Sequence, residues 1–163
     1  MSGDAVPRVL ILAAAIALGA WLRFEGLNEP SYWLDEMLGD QLTQRAAEQP
    51  WWRWLIGLER EHGPLYYLTQ LLLPGRVAAA IFGLATIPLV WLLAKRVHSG
   101  TAAAVCAVLL AVSPLHVYYS REARPYALLM MLTAALLVSS RWWFVAALVA
   151  LVSTSAVAAP VVV

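Results

Sequence analysis

The stretch that decides the fold covers residues 77–94 and has the sequence VAAAIFGLATIPLVWLLA. It contains no charged residue, and it is long enough to cross the hydrocarbon core of a bilayer, which takes roughly 17 to 25 apolar residues in one helix. The whole chain has the same bias, since 62% of its 163 residues are hydrophobic and 13% are charged. A soluble domain is about half apolar and about a quarter charged. The excess of apolar residues indicates an integral membrane protein.

Further apolar stretches flank this one on both sides: residues 9–22, 101–118, 126–139 and 142–163. The first follows Arg8 and resembles a signal peptide with a small-residue end at Ala20. Trp21 and Phe24 are typical interfacial anchors, however, and they favour an uncleaved helix. The stretch 126–139 is short but uninterrupted. The sequence therefore predicts an all-α integral membrane protein with about five transmembrane helices.

Residues 24–76 then form one large loop between the first two spans. The loop holds eight of the ten acids: Glu25, Glu29, Asp35, Glu36, Asp40, Glu48, Glu59 and Glu61. Basic residues gather at the opposite ends of the spans: Arg8, Lys95, Arg96 and Arg141. The positive-inside rule makes that side cytoplasmic, so we expect a multi-pass protein of the cell membrane with the loop on the extracytoplasmic side. Arg121 and Arg124 fall on the outer side, against the rule.

The outer loop contains three segments with helical or interfacial character. Asp35–Gln49 has apolar residues near a 3.6-residue period, and Pro50 ends it. Trp51–Leu58 mixes indole rings with charges, which is typical of an amphipathic helix in the headgroup region. Leu65–Leu73 is too short to span a bilayer and is predicted as another interfacial helix.

Net charge and cysteine content exclude several functional classes. A net charge of +1 gives no electrostatic case for binding nucleic acid. The one cysteine, Cys106, lies in an apolar run, so neither a disulfide framework nor a cysteine metal site is available. Hard oxygen and nitrogen ligands are present at Asp35, Glu36, His62 and Glu122. Their spacing specifies no ion, so the metal is unknown, a divalent cation stays one candidate, and no other cofactor is indicated.

Two candidate groups for chemistry lie in the outer loop. Asp35-Glu36 directly follows Tyr32-Trp33. Asp35 can be a helix N-terminal acid favoured by the helix dipole, or a carboxylate near the membrane boundary that serves as general base. His62-Gly63-Pro64 predicts a sharp turn before an aromatic helix, whether the histidine is structural or functional.

Ser120-Arg121-Glu122-Ala123-Arg124 is the most polar stretch near a predicted membrane boundary. Arg121 and Arg124 lie three residues apart, so one helical turn would place them on the same face. Two guanidiniums near tyrosine hydroxyls suit a phosphate, which arginine binds through a planar fork. The alternative is a snorkelling turn with an internal Arg–Glu pair. Arg76, at the start of the second span, could join this anion site or anchor the helix end.

Four motifs in this order resemble a known family. They are Trp33-Leu34-Asp35-Glu36, the turn His62–Tyr67, the helix start Arg76–Gly83, and the segment Ser113–Leu129. The arrangement resembles the N-terminal module of the polyprenyl-phosphate-sugar-dependent glycosyltransferases of the GT-C fold. It is most similar to the bacterial branch related to protein O-mannosyltransferases and aminoarabinose transferases. The likeness covers residues 8–140.

The resemblance implies a membrane glycosyltransferase that moves a sugar from a polyprenyl-phosphate donor to an acceptor hydroxyl on the extracytoplasmic face, with inversion. It implies that Asp35 activates the acceptor, with Glu36 as its catalytic neighbour. The substrate-binding residues that it implies are His62, Tyr66, Arg76, Arg121, Glu122, Arg124 and Tyr126. Complete members carry more spans and a C-terminal domain, so residues 1–163 would correspond to a truncated module.

Alternatives of other classes remain open at this stage. A non-catalytic membrane fragment, or a lipid-binding subunit, would need a second membrane chain to supply the missing spans. A small transporter is disfavoured because the charged residues lie at the membrane edges, whereas transport sites usually lie near the midplane. The expected partners are therefore the polyprenyl-phosphate sugar, membrane lipid and the second chain.

Overall fold

The computed structural model describes residues 5–50, 64–73 and 75–139, and these contain helices, turns and no strand. The helices in chain order are α1 Ala5–Phe24, α2 Leu34–Ala47, α3 Pro64–Leu72, α4 Arg76–Val97, α5 Gly100–Val112, α6 Pro114–Tyr119 and α7 Tyr126–Val138. An all-α architecture is thus confirmed for the described part of the chain.

Helix α4 lies at the centre and packs against α1, α5 and α7. Its buried positions are mostly small, among them Ala78, Ala79, Ala80 and Gly83. Small residues let helix backbones approach closely, which is how helices associate where lipid removes the hydrophobic driving force. One turn further on, Ile87 packs with small residues of α1 and α5: Ala15, Ala107 and Ala111.

Two described helices are long and apolar enough to cross a membrane, Val6–Phe24 and Arg76–Val97. They coincide with the first two predicted spans. The apolar helices Gly100–Val112 and Tyr126–Val138 are shorter. The predicted span at 142–163 lies outside the described residues, and a total of about five spans stays a prediction.

The predicted span at 101–118 is wrong as a single helix. Helix α5 ends at Val112, and α6 begins at Pro114 after a break at Ser113. Proline lacks an amide proton and clashes with the preceding turn, which favours the end of α5 before Pro114. Ser113 starts the new helix because its hydroxyl accepts a hydrogen bond from the His116 amide at 3.4 Å.

Two helices predicted in the outer loop are confirmed. Helix α2 covers Leu34–Ala47, close to the predicted Asp35–Gln49. Helix α3 covers Pro64–Leu72, and its nine residues are too few to span a bilayer. The two helices contact each other. The predicted interfacial helix at Trp51–Leu58 lies outside the described residues.

Candidate active site

A pocket of about 320 Å³ lies where the start of α2 faces the end of α6 and the turns that follow it. Its wall therefore combines two segments that are far apart in sequence. The lining residues are Trp33, Leu34, Asp35, Glu36, Tyr118, Tyr119, Glu122, Arg124 and Tyr126. The structure thus brings together five of the predicted site residues: Asp35, Glu36, Glu122, Arg124 and Tyr126.

Asp35 and Arg124 are the acid and the cation that face each other across this pocket. Arg124 Nη2 lies 3.6 Å from Asp35 Oδ2. The Asp35 side chain is 67% exposed, whereas that of Arg124 is 17% exposed. The Arg124 guanidinium also lies 5.7 Å from the centre of the Tyr126 ring. An exposed carboxylate is thus placed beside a cation that is held at an aromatic wall.

Glu36, the neighbour of Asp35, is buried and accepts four hydrogen bonds. Its Oε1 accepts from Arg76 Nε at 2.9 Å and from the Ala123 amide at 2.7 Å. Its Oε2 accepts from Arg76 Nη2 at 2.7 Å and from the Trp33 amide at 3.2 Å. The bond to Trp33 is the backward reach of an acid at the third helical position, as in a capping box.

These bonds determine the charge state of Glu36. Burial by itself would raise the pKa of its carboxyl, but the hydrogen bonds from Arg76, Ala123 and Trp33 outweigh burial and hold that pKa below its ordinary value. Because both carboxylate oxygens are already used twice, Glu36 is a poor proton acceptor for a substrate. Its geometry is that of a residue that joins α2, α4 and the turns around Ala123.

Arg76 was predicted either to bind an anion or to anchor a helix end, and its contacts favour the anchor. Besides Glu36, its guanidinium donates to the carbonyls of Leu27, Pro30 and Ser31 at 3.2, 2.7 and 3.0 Å. A guanidinium has five N–H donors, and these contacts with the two to Glu36 use all five. Arg76 therefore has no donor left for a phosphate in this conformation.

Arg121 and Arg124 do not face the same way, so that part of the prediction is wrong. Residues 120–125 form turns rather than a helix, and three-residue spacing there does not define a face. The Arg121 guanidinium donates to the carbonyls of Leu22 and Gly26 at 2.9 and 3.1 Å, at the end of α1. Arg124 lines the pocket and Arg121 does not.

Tyr66 lies beneath the pocket wall rather than in it. It is 3% exposed, and its hydroxyl donates to the Ala123 carbonyl at 2.6 Å. Burial raises the pKa of this hydroxyl above its usual range, so it remains a donor. Ala123 is thus held at its carbonyl by Tyr66 and at its amide by Glu36. His62 lies outside the described residues, and its predicted role stays untested.

Of the aromatic wall, Tyr126 was predicted as a site residue, whereas Trp33, Tyr118 and Tyr119 were not. Tyr118 and Tyr119 have ring centres 5.3 Å apart, and Tyr119 and Tyr126 have ring centres 4.9 Å apart. Trp33 lies on the other side and is 63% exposed. The signal available in the sequence was the clustering of these rings beside both charged motifs.

Within residues 5–50, 64–73 and 75–139, no three histidine, cysteine, aspartate or glutamate side chains are grouped as a metal site would require. Asp35 and Glu122 both line the pocket, but the hydrogen bonds of Glu36 leave it unsuited to coordinate an ion. A divalent cation at this pocket therefore stays an untested expectation.

Comparison with known proteins identifies the family. The sequence pattern of the family described as dolichyl-phosphate-mannose-protein mannosyltransferase matches residues 67–159. The match includes the pocket wall at residues 118–126, whereas Asp35 and Glu36 precede it. No curated protein and no solved structure matches the chain. No comparison supports the expected second membrane chain. Because the family pattern covers more than half of the sequence, the chain belongs to the dolichyl-phosphate-mannose-protein mannosyltransferase family.

Proposed function

We propose that the pocket is the reaction site of a membrane glycosyltransferase, which moves a sugar from a polyprenyl-phosphate donor to an acceptor hydroxyl with inversion. The family supplies the reaction class, a mannosyltransferase-type transfer. The observation that carries the proposal is the pairing of an exposed carboxylate, Asp35, with Arg124 at 3.6 Å, the one arginine that lines the pocket among the described residues. In transfer from a phosphate-linked sugar, a carboxylate can take the proton of the acceptor and a cation can stabilise the leaving phosphate.

Arg124 is the proposed holder of the donor phosphate. Within the part of the chain that the structure describes, Arg76 and Arg121 also lie near the pocket, and both donate to protein oxygens. A guanidinium binds phosphate oxygens through two parallel N–H donors, which fixes orientation as well as charge. The charge on the phosphate grows as the sugar departs, so a cation held at that place lowers the energy of the transition state.

Asp35 is the proposed general base. Its carboxylate takes the proton of the acceptor hydroxyl while the hydroxyl oxygen attacks the anomeric carbon of the sugar. The bond between that carbon and the phosphate oxygen breaks, and its electron pair leaves with the polyprenyl phosphate. Attack opposite to the leaving group inverts the anomeric centre. The products are the glycosylated acceptor, polyprenyl phosphate and a protonated Asp35.

The aromatic rings give the pocket a surface for the sugar. Trp33, Tyr118 and Tyr126 are all at least 39% exposed and line the same space. Their flat apolar faces suit the carbon–hydrogen faces of a sugar ring, while tyrosine hydroxyls can bond its oxygens. These rings are proposed to orient the sugar beside the acid and the cation, whose contact at 3.6 Å has to open for the sugar to enter between them.

Charge placement supports an extracytoplasmic site. The pocket lies at the end of α1 and the start of α4, whereas Lys95 and Arg96 lie in the last turn of α4. Arg8 lies at that same far end, since a Cβ on Gly100 would come 2.9 Å from Arg8 Nη1. The positive-inside rule assigns this basic end to the cytoplasm and the pocket to the opposite side.

The test uses membranes that contain the full chain, supplied with radiolabelled polyprenyl-phosphate mannose. We expect label to leave the donor, and Asp35→Asn to abolish this while the protein still inserts. Asp40→Asn is the matched control, because Asp40 is an exposed acid on the same helix that contacts Gln44 outside the pocket. Turnover of Asp35→Asn equal to that of Asp40→Asn would refute the assignment.

A further inference from the structure

A buried arginine that the proposed chemistry does not use lies at the end of α1, which contacts the turns at residues 120–125. Arg23, in the last turn of α1, is 0% exposed. Its Nη1 donates to the carbonyls of Gly19 and Ala111 at 2.8 and 3.1 Å. Its Nη2 lies 2.7 Å from Nδ1 of His116. Every guanidinium nitrogen carries protons, so Arg23 is the donor here and His116 Nδ1 accepts.

The surrounding helices are shaped to admit this side chain. A Cβ on Gly19 would come 3.2 Å from Arg23 Nη1, and one on Gly83 of α4 would come 3.3 Å from Arg23 Nε. The ion pairs among the described residues involve Arg76 and Arg124 but not Arg23. A charged residue buried among membrane helices is costly, and such a residue is by default a candidate for a functional role.

The contacts of Arg23 lead to the pocket wall. Ala111 is in the last turn of α5, where the break before Pro114 leaves carbonyls without helical partners. His116 in turn contacts Ser120, whose Oγ lies 3.5 Å from His116 Nδ1 and donates to the His116 carbonyl. Ser120 is 0% exposed and begins the turns at 120–125 that carry the pocket residues.

Arg121, which follows Ser120, connects the turn segment 120–125 back to the end of α1. Arg121 donates to the carbonyls of Leu22 and Gly26, which lie on either side of Arg23 in sequence. The end of α1 thus reaches into α5 and α6 through Arg23, and the turn segment reaches back to α1 through Arg121. The two arginines thus join the end of α1 to α5 and α6 on one side and to the turn segment on the other.

We propose that Arg23 is a positioning residue for the pocket. Through His116 and Ser120 it fixes the start of the turn segment 120–125, and thereby the directions of Glu122 and Arg124 into the pocket. An apolar side chain could fill the same space, but it could not hold the Ala111 carbonyl and the His116 ring at once. The part concerning the donor phosphate rests on the proposed function, whereas the part concerning the turn segment does not.

The first test is the double variant Arg23→Met/His116→Leu in the full chain, reconstituted in lipid nanodiscs. Replacing a buried polar pair with apolar side chains of similar volume is often neutral for stability, so we expect a folded protein. We expect faster backbone hydrogen exchange at residues 120–124. Binding of polyprenyl phosphate without a sugar should weaken about tenfold, because small displacements of positioned groups are costly. Unchanged exchange together with unchanged affinity would overturn the proposal.

If the double variant does not fold, a second pair of variants tests whether Arg23 fixes the turn segment through His116. His116→Asn keeps an acceptor where Nδ1 lies, whereas His116→Gln moves it towards the place of Nε2. We expect slow exchange at residues 120–124 in the asparagine variant and fast exchange in the glutamine variant; equal exchange in the two contradicts the proposal. If the unmodified protein binds no polyprenyl phosphate, the proposed function fails, and the exchange data still decide the role of Arg23.

Discussion

Glu36 is the acid that joins the start of α2 to α4 and to the turn segment, and its replacement by alanine has the largest effect we expect from one substitution near the pocket. The change removes four accepted hydrogen bonds, two of them from Arg76. Arg76 is 3% exposed, so its charge is left buried and without a counter-ion.

The magnitude follows from these contacts. Removing one partner of a buried ion pair costs about 3–5 kcal/mol, because the remaining charge is uncompensated. Arg76 keeps its three bonds to backbone carbonyls, which places the expected loss near the lower end. We therefore expect Glu36→Ala to lower the free energy of unfolding by about 3 kcal/mol, a large share of the roughly 5–15 kcal/mol of a typical protein.

The assay is unfolding of the purified chain in mixed micelles titrated with dodecyl sulfate, followed by circular dichroism. Asp40→Asn on the same helix is the control, and as an exposed substitution it should change the free energy of unfolding by less than about 0.5 kcal/mol. The double variant Glu36→Ala/Arg76→Ala completes a cycle whose coupling energy we expect at about 1–3 kcal/mol. A loss for Glu36→Ala no larger than that of the control would refute this account of the ion pair.

Three further predictions follow from the same contacts. The depressed pKa of Glu36 contributes stability that is present above its ordinary value of 4.5 and is lost as the pH falls through the lower folded-state pKa. As the pH falls below that ordinary value, the free energy of unfolding should therefore decrease more in the unmodified protein than in Glu36→Gln. Asp35→Asn should tighten polyprenyl phosphate binding by up to about fivefold, because an exposed ion pair worth up to about 1 kcal/mol no longer competes for the arginine; weaker binding, measured by titration calorimetry, would contradict this. Gly83→Ala should lower the free energy of unfolding by about 1–3 kcal/mol, because its Cβ would overlap the Ser120 hydroxyl. Gly39→Ala, with its nearest neighbour at 3.8 Å, is the control and should not destabilise.

The sequence was a good guide wherever a property repeats along the chain. The helix at Arg76–Val97 follows from a continuous apolar run, and α2 and α3 follow from local periodicity and turn residues. Placement of Asp35 and Arg124 in one pocket also agrees with their prediction as site residues. The helices depend on near neighbours in sequence, which a single chain displays directly, whereas the meeting of Asp35 and Arg124 does not.

Long-range partners were beyond the reach of the sequence. Glu36 and Arg76 are forty residues apart, and no pattern links a helix-capping acid to the first residue of a later helix. The direction of Arg121 was mispredicted because helical spacing was assumed where the chain forms turns. No sequence pattern indicated that Arg23 is buried, since an arginine at the end of a span is typical of an interfacial anchor.

In each charged motif, one charged residue is bound to the rest of the protein and another faces the pocket. In Asp35-Glu36, the helix start directs Glu36 into the protein and leaves Asp35 facing the pocket. In the turn segment, Arg121 is bound to α1 and Arg124 is left for the pocket. Glu36 and Arg121 are each satisfied by hydrogen bonds to protein groups, so neither is free to pair with Asp35 or Arg124. Glu36 is held by Arg76 and Arg121 by carbonyls of α1, so the scaffold contacts of each motif are made by a residue other than the one proposed to act in the pocket.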